Sequence, residues 1–158
     1  MITVDIAIEH GAWHAPAARP IIEEAVGMTL ATCAMADIET ELSVLLTDDM
    51  RIAEVNGQWR NKPKATNVLS FPAAQMRPGQ KPGPLLGDIV LAHETISDEA
   101  MAMNRTFDAH LFHLVVHGTL HCLGHDHVTE NEAQAMESLE IAILGDKGLP
   151  DPYLISEE

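Results

Sequence analysis

The segment His117-Gly118-Thr119-Leu120-His121-Cys122-Leu123-Gly124-His125-Asp126-His127 places four histidines, two glycines and an aspartate within eleven residues. Imidazole nitrogens are common ligands for transition metals. If the segment up to Leu123 is helical, His117 and His121 lie one turn apart and project from the same face. Gly124 can then take the left-handed conformation that ends a helix and reverses the chain. That reversal brings a further histidine back toward the first two. Three imidazoles with no obvious fourth protein ligand describe a zinc site with an open position. Water held in such a position ionises near neutral pH and becomes a hydroxide source. A lone helical histidine is more often a packing residue, so it is the combination of pair, glycine stop and third histidine that argues for a metal.

His113 extends the stripe, four residues before His117. Three ligands on one straight helix make a poor chelate. The outer two stand about 12 Å apart along the axis, and zinc–nitrogen bonds of about 2 Å cannot bridge that gap. The third ligand is therefore expected from beyond the turn, with His113 packing or supporting the site from behind the ligands. His125 and His127 compete for the third place.

Basic residues are scarce. The chain has 24 acidic and 9 basic residues, a net charge of −15 that argues against general nucleic-acid affinity. It leaves room for a local basic groove. Arg60, Lys62 and Lys64 form the tightest basic cluster in the sequence. The plainer account of that cluster is a solvated loop.

A chain of 158 residues fits one domain with a sizeable core, and the expectation is a single domain over 1–158. No apolar run approaches the roughly 20 residues that span a bilayer. The start Met1-Ile2-Thr3-Val4-Asp5 lacks the basic and apolar blocks of a signal peptide, so a cytoplasmic location is expected. Two cysteines, Cys33 and Cys122, fit a reducing compartment. Cys122 should point away from the His117/His121 face and serve as a small core residue.

The elements that must position these residues follow from periodicity. Ile2, Val4, Ile6 and Ile8 alternate over a strand at 2–8. Ile22, Ala25, Val26, Thr29, Leu30 and Cys33 follow a helical period over about 17–35. A strand is expected at about 38–47, then a helix at about 49–59 capped by Asp48. Val68 to Phe71 form a short strand that Pro72 ends. Pro72, Pro78, Pro82 and Pro84 with Gly79 and Gly83 mark a loop over 72–86. A buried strand at 88–92 and a helix at about 94–104 come next. Thr106 caps the histidine helix, about 107–123, and Thr129 with Glu132 forms a capping box for a last helix to about Leu144. The fold class is α+β: a mixed sheet of about four strands packed with about five helices.

Two segments together resemble a known family. His117 to His127 is similar to the metal signature of the YbeY-type endoribonucleases. Asn56-Gly57-Gln58-Trp59-Arg60, followed by Ala65-Thr66-Asn67-Val68-Leu69-Ser70-Phe71-Pro72, resembles their second signature, and Leu86-Gly87-Asp88-Ile89-Val90 a shorter third block. The element order agrees from end to end. The resemblance implies one zinc at His117, His121 and His127 and a functional arginine at Arg60. It further implies single-strand-specific RNA cleavage in ribosomal RNA maturation, at the 3′ end of the small-subunit RNA, and in ribosome quality control. Small-subunit ribosomal proteins and an assembly GTPase are the expected protein partners. His125 departs from the family, which usually has an aromatic residue there.

The chemistry is coherent on its own. Arg60 offers a planar fork for two phosphate oxygens. It is expected to hold the scissile phosphate against the zinc and offset transition-state charge. Lys62 and Lys64 would track neighbouring phosphates. Asp126 either orients a ligand imidazole, relays a proton, or simply caps the chain reversal. The sequence leaves open whether water or the RNA 2′-OH is activated. A metalloprotease is the first alternative, because His117, His121, Gly124 and His127 match the long zinc-protease spacing. Gly118, however, stands where that motif needs its glutamate base. A non-catalytic assembly factor with structural zinc is the second, although such sites are usually closed and cysteine-rich.

Overall fold

The computed structural model describes residues 2–154. Its elements run β1 (Ile2–Ile8), α1 (Ala15–Thr32), β2 (Thr40–Thr47), α2 (Asp49–Arg60), β3 (Val68–Pro72), β4 (Leu85–Ala92), α3 (His93–Ala102), α4 (Phe107–Cys122) and α5 (Glu130–Asp146). The four strands form one mixed sheet in the order β1-β2-β4-β3. β1 and β4 both run parallel to β2, and β3 returns antiparallel to β4 at the edge. The fold is α+β, as expected.

Alternation builds the two faces. Leu42, Val44 and Leu46 of β2 and Leu86, Ile89 and Leu91 of β4 are buried in the main core with Ile22, Val26 and Leu30 of α1 and Leu111, Val115 and Leu120 of α4. The opposite face holds a smaller cluster, Ile52 of α2 with Leu69, Val90 and Ala92. The histidine helix therefore lies against the sheet on the larger core, and α2 brings Arg60 in from the other side.

The caps follow the side chains. Asp48, Thr106 and Thr129 each accept a hydrogen bond from the backbone N–H three residues on, at 2.8, 3.1 and 3.1 Å. All five helices of the described residues end in a left-handed residue, Asn61 in the case of α2, and four of them close alike: Ala34 after α1, Asn104 after α3, Gly124 after α4 and Gly148 after α5. In each, the next N–H reaches back to a carbonyl of the last turn: Met35 to Leu30, Arg105 to Ala100, His125 to Leu120 and Leu149 to Leu144. This is the paired closure that satisfies carbonyls left over at a helix end.

Boundaries differ from expectation at several places, and β2 starts at Thr40 and α3 ends at Ala102, each two residues inside the expected range. α1 begins at Ala15, because Pro16 fits a first helical turn, and it stops at Thr32 because Ala34 turns left-handed. The expected loop 72–86 is shorter: β4 starts at Leu85, and Pro72 pairs with Gly87 at the end of β3. Pro72 is tolerated because β3 is an edge strand. α5 runs on through Gly145 to Asp146 and is ended by Gly148. No helix among the described residues is long and apolar enough to cross a membrane.

Candidate active site

Gly118 sets the facing of α4. A Cβ there would meet Ile89 Cδ1 and Ser70 Oγ, both at 3.0 Å, so this point of the helix presses directly on the sheet. Cys122, four residues on, is fully buried against Gly87; burial and then the nearby Asp88 push its thiol up to about 12. It is the small core residue expected. With that face fixed inward, His117 and His121 look the other way, their Nε2 atoms 3.2 Å apart.

Gly124 then reverses the chain with φ +99 and closes α4 through Gly124 N–H to His121 O and His125 N–H to Leu120 O, both 3.0 Å. His127 returns beside the pair, its ring centre 5.1 Å from that of His121 and 6.0 Å from that of His117. One ring nitrogen from each of His117, His121 and His127 lies within 4.8 Å of the others, and the three could hold a metal ion. His125 is not in this group, though it lines the same cavity. Burial, followed by the neighbouring His117 and His127, pushes His121 down to about 4. Its ring is therefore neutral at pH 7, the form that binds metal.

Behind the pair stands Glu140 of α5, with no solvent exposure. Its Oε1 lies 2.8 Å from His117 Nδ1 and 3.1 Å from His113 Nε2, and its Oε2 accepts from the Tyr153 hydroxyl at 2.6 Å. Burial alone would raise its pKa; the hydrogen bonds from His113, His117 and Tyr153 outweigh that and hold it at about 2. Burial and the same bond push the Tyr153 hydroxyl above its usual range, so Tyr153 stays a donor.

The histidines open onto a cleft of about 990 Å³, whose walls also carry Arg60, Asn67, Arg77, His125 and Asp126. Arg60, at the end of α2, donates from Nη2 to the Ser70 carbonyl at 2.9 Å and lies 5.5 Å from the Phe71 ring centre. One guanidinium nitrogen is thereby tied to β3. No carboxylate is paired with it among the described residues, so its charge is free for an anion. Asn67 is held by Glu99, which also lies 2.9 Å from His110 Nε2.

The structure brings Arg60, Asp126 and the three histidines to one cleft, but not the lysines. Lys62 and Lys64 are exposed on the loop after α2, where the buried Asn56 donates to the Lys64 carbonyl at 3.0 Å, and neither lines the cleft. The Asp126 carboxylate accepts the His127 backbone N–H at 2.8 Å, the bond a turn-capping residue makes, and among the described residues it has no hydrogen bond to the ring of His117, His121 or His127. His113 shares Glu140 with His117 and is not among the three convergent histidines.

Glu140, Tyr153 and Arg77 were not legible as site residues. Glu140 alone left a trace. Met136, Glu140, Ile143 and Leu144 form the buried stripe of α5 at helical spacing, and an acid in an apolar stripe asks for an explanation.

Comparison with known proteins matches the chain over nearly its whole length. The family model described as "Endoribonuclease YbeY" matches residues 6–148. The chain is 47% identical over 154 residues to the Endoribonuclease YbeY of Bartonella bacilliformis, covering 97% of this chain and 98% of that one. It is 58% identical over 113 residues to that of Agrobacterium fabrum, covering 72% of this chain and 67% of the other. The solution structure of TM1509 from Thermotoga maritima shares the fold, with a TM-score of 0.54 and 22% identity over 98% of this chain and 100% of that one. With matches across nearly its whole length, the chain belongs to the YbeY endoribonuclease family.

Proposed function

We propose that this protein is a zinc-dependent endoribonuclease that cuts single-stranded ribosomal RNA during maturation and quality control of the small subunit. The observation that carries the reading is the 3.2 Å separation of the His117 and His121 Nε2 atoms at the floor of a cleft shared with Arg60. Two lone pairs facing each other at that distance repel unless a cation or a shared proton lies between them. A tetrahedral ion with bonds of 2.0–2.1 Å holds its ligand atoms about 3.3 Å apart. The donor set of three imidazoles suits zinc. His127, from the exposed turn, would complete the set and leave the cleft side open.

Zinc held by these residues supplies Lewis acidity that polarises a phosphoryl oxygen and lets water or the RNA 2′-OH ionise near neutral pH. The rest is the work of the chain. Arg60 binds the scissile phosphate through the face of its guanidinium fork not tied to Ser70, and offsets charge developing on the phosphoryl oxygens. Asp126 holds the turn that carries His127 in place. The cleft is open enough for an unpaired strand. Lys62 and Lys64 attract phosphates further along that strand. The acidic surface gives little general RNA affinity, which fits delivery by small-subunit ribosomal proteins or an assembly GTPase, in the cytoplasm.

A peptidase lacks its base here. Position 118 is Gly and faces the sheet, where a Cβ would already stand 3.0 Å from Ile89 Cδ1 and Ser70 Oγ, so the glutamate of that chemistry is absent and a side chain there would be crowded. A structural zinc has no reason to face a large cleft with a free arginine on its wall. The test is cleavage of single-stranded ribosomal RNA with and without a chelator, beside casein. Chelator-sensitive RNA cleavage with casein intact supports the reading; chelator-sensitive casein hydrolysis that tracks the protein through chromatography overturns it.

A further inference from the structure

We infer that Glu140 is a positioning residue that selects His117 over His113 as a metal ligand, and that Tyr153 of the C-terminal segment clasps it in place. The inference rests on the metal site proposed above but not on the reaction.

Glu140 is a carboxylate with no solvent exposure and, among the described residues, no lysine or arginine beside it. Burying a charge is costly, and an apolar residue of similar volume usually serves packing as well or better. A carboxylate does one thing an apolar residue cannot: it accepts hydrogen bonds and, when ionised, donates none. A ring nitrogen facing it must carry the proton. His117 faces it with Nδ1, at 2.8 Å. Its proton then sits on Nδ1, and the Nε2 lone pair points at the partner nitrogen of His121. His113 faces the same oxygen with Nε2, at 3.1 Å. Its proton sits on Nε2, which is turned back to Glu140, and its Nδ1 is buried without a partner. One carboxylate oxygen thus makes one histidine of the stripe a ligand and withdraws its neighbour.

The other oxygen is filled from the C-terminal segment. Tyr153 donates to Oε2 at 2.6 Å, and its ring meets that of His113 edge-on with centres 6.0 Å apart. Tyr153 also walls a cavity of about 320 Å³ behind the metal site, with His117, His127, Met136 and Glu140. The segment after α5 is therefore built into the back of the metal centre. The buried negative charge finds its counterpart when a divalent cation binds on the far side of the His117 ring.

The test is zinc affinity, measured by competition with a chromophoric chelator and no RNA present. Glu140→Gln keeps the size and removes the charge; it should weaken zinc binding about 10- to 100-fold, with the circular dichroism spectrum unchanged. Tyr153→Phe should weaken it by less, because Oε1 still holds His117. The wild type gives a second reading that no folding defect can obscure. Nitrogen-15 spectra of the histidine rings should show His117 protonated on Nδ1 and His113 on Nε2. Wild-type affinity in folded Glu140→Gln, or His117 protonated on Nε2 in the metal-free wild type, overturns the inference. Affinity that depends on Glu140 in a protein that cuts no RNA leaves it standing and overturns the nuclease reading instead.

Discussion

Gly124 lies so close to the β3–β4 loop that a Cβ on it would come within 2.7 Å of the Met76 carbonyl oxygen. The turn that returns His127 to the histidine pair is thus wedged against the loop that carries Arg77 into the cleft. Glycine is needed here twice, for a φ of +99 and for the close approach. Gly124→Ala should cost about 1 kcal/mol for the left-handed backbone and about 1–3 kcal/mol for overpacking. Urea unfolding of the chelator-treated protein measures that loss. Zinc affinity should fall with it, since the turn moves His127. A folded Gly124→Ala protein with unchanged midpoint and affinity would show that the wedge is not tight.

Metal content should be near one zinc per chain and should fall sharply in His117→Ala, His121→Ala and His127→Ala. His125→Ala and His113→Ala should retain most of it, because neither contributes a nitrogen to the convergent group. Elemental analysis of purified variants decides. Loss in His125→Ala with retention in His127→Ala would reverse the assignment of the third ligand.

What the sequence made legible was local. Asp48, Thr106 and Thr129 could be read as caps because the side chain that makes the bond sits three residues from its partner. The end of α1 could not, because Ala34 takes the left-handed role usually given to glycine, and nothing in an alanine announces it. The start of β4 was hidden by the prolines before it, although the Pro84 carbonyl already accepts from Glu41 N–H at 3.0 Å. The site divides the same way. His117 and His121 fall one turn apart at a helix end, so spacing pairs them and calls for a third histidine after the turn; between His125 and His127 spacing does not choose, and it is the family resemblance that favours His127. Glu140 stands 23 residues from His117, and only the packing of α5 on α4 joins them. Arg77 reaches the cleft through a loop whose path no periodicity records, while the sequence's own basic cluster sends only Arg60 there.

Acid should destabilise the metal-free protein from about pH 6.5 downward. Burial lowers the pKa of His110, against the opposing pull of Glu99, and lowers that of His93, with His10 adding to the effect. A histidine whose folded pKa lies below its unfolded value of about 6.5 binds fewer protons folded than unfolded. Its stabilising share is complete above pH 6.5 and is lost as pH falls through the folded pKa. The urea midpoint with chelator present should therefore drop between pH 7.5 and pH 5. His110→Gln should make that drop shallower, whatever it does to the midpoint at pH 7.5. A midpoint that holds steady or rises toward pH 5 contradicts the sign.

Arg60→Ala should leave the fold and zinc in place and nearly abolish RNA cleavage, because its guanidinium lines the cleft and has no hydrogen bond to His117, His121 or His127. Arg60→Lys should rescue poorly: an ammonium cannot bond the Ser70 carbonyl and present a planar fork to phosphate at once. Arg77 lines the same cleft, whereas Lys62 and Lys64 do not. Arg77→Ala should therefore weaken RNA binding more than either lysine variant does. Each lost phosphate contact should flatten the salt dependence by about 0.7 of a log unit per log unit of salt, as for a single strand. Affinity titrations at several salt concentrations, run beside single-turnover cleavage, separate the two roles. Arg60 should act on the cleavage rate, Arg77 on affinity and its salt slope. Cleavage by Arg60→Ala at the wild-type rate, with zinc retained, removes Arg60 from the phosphate clamp and returns the basic cluster to a solvated loop.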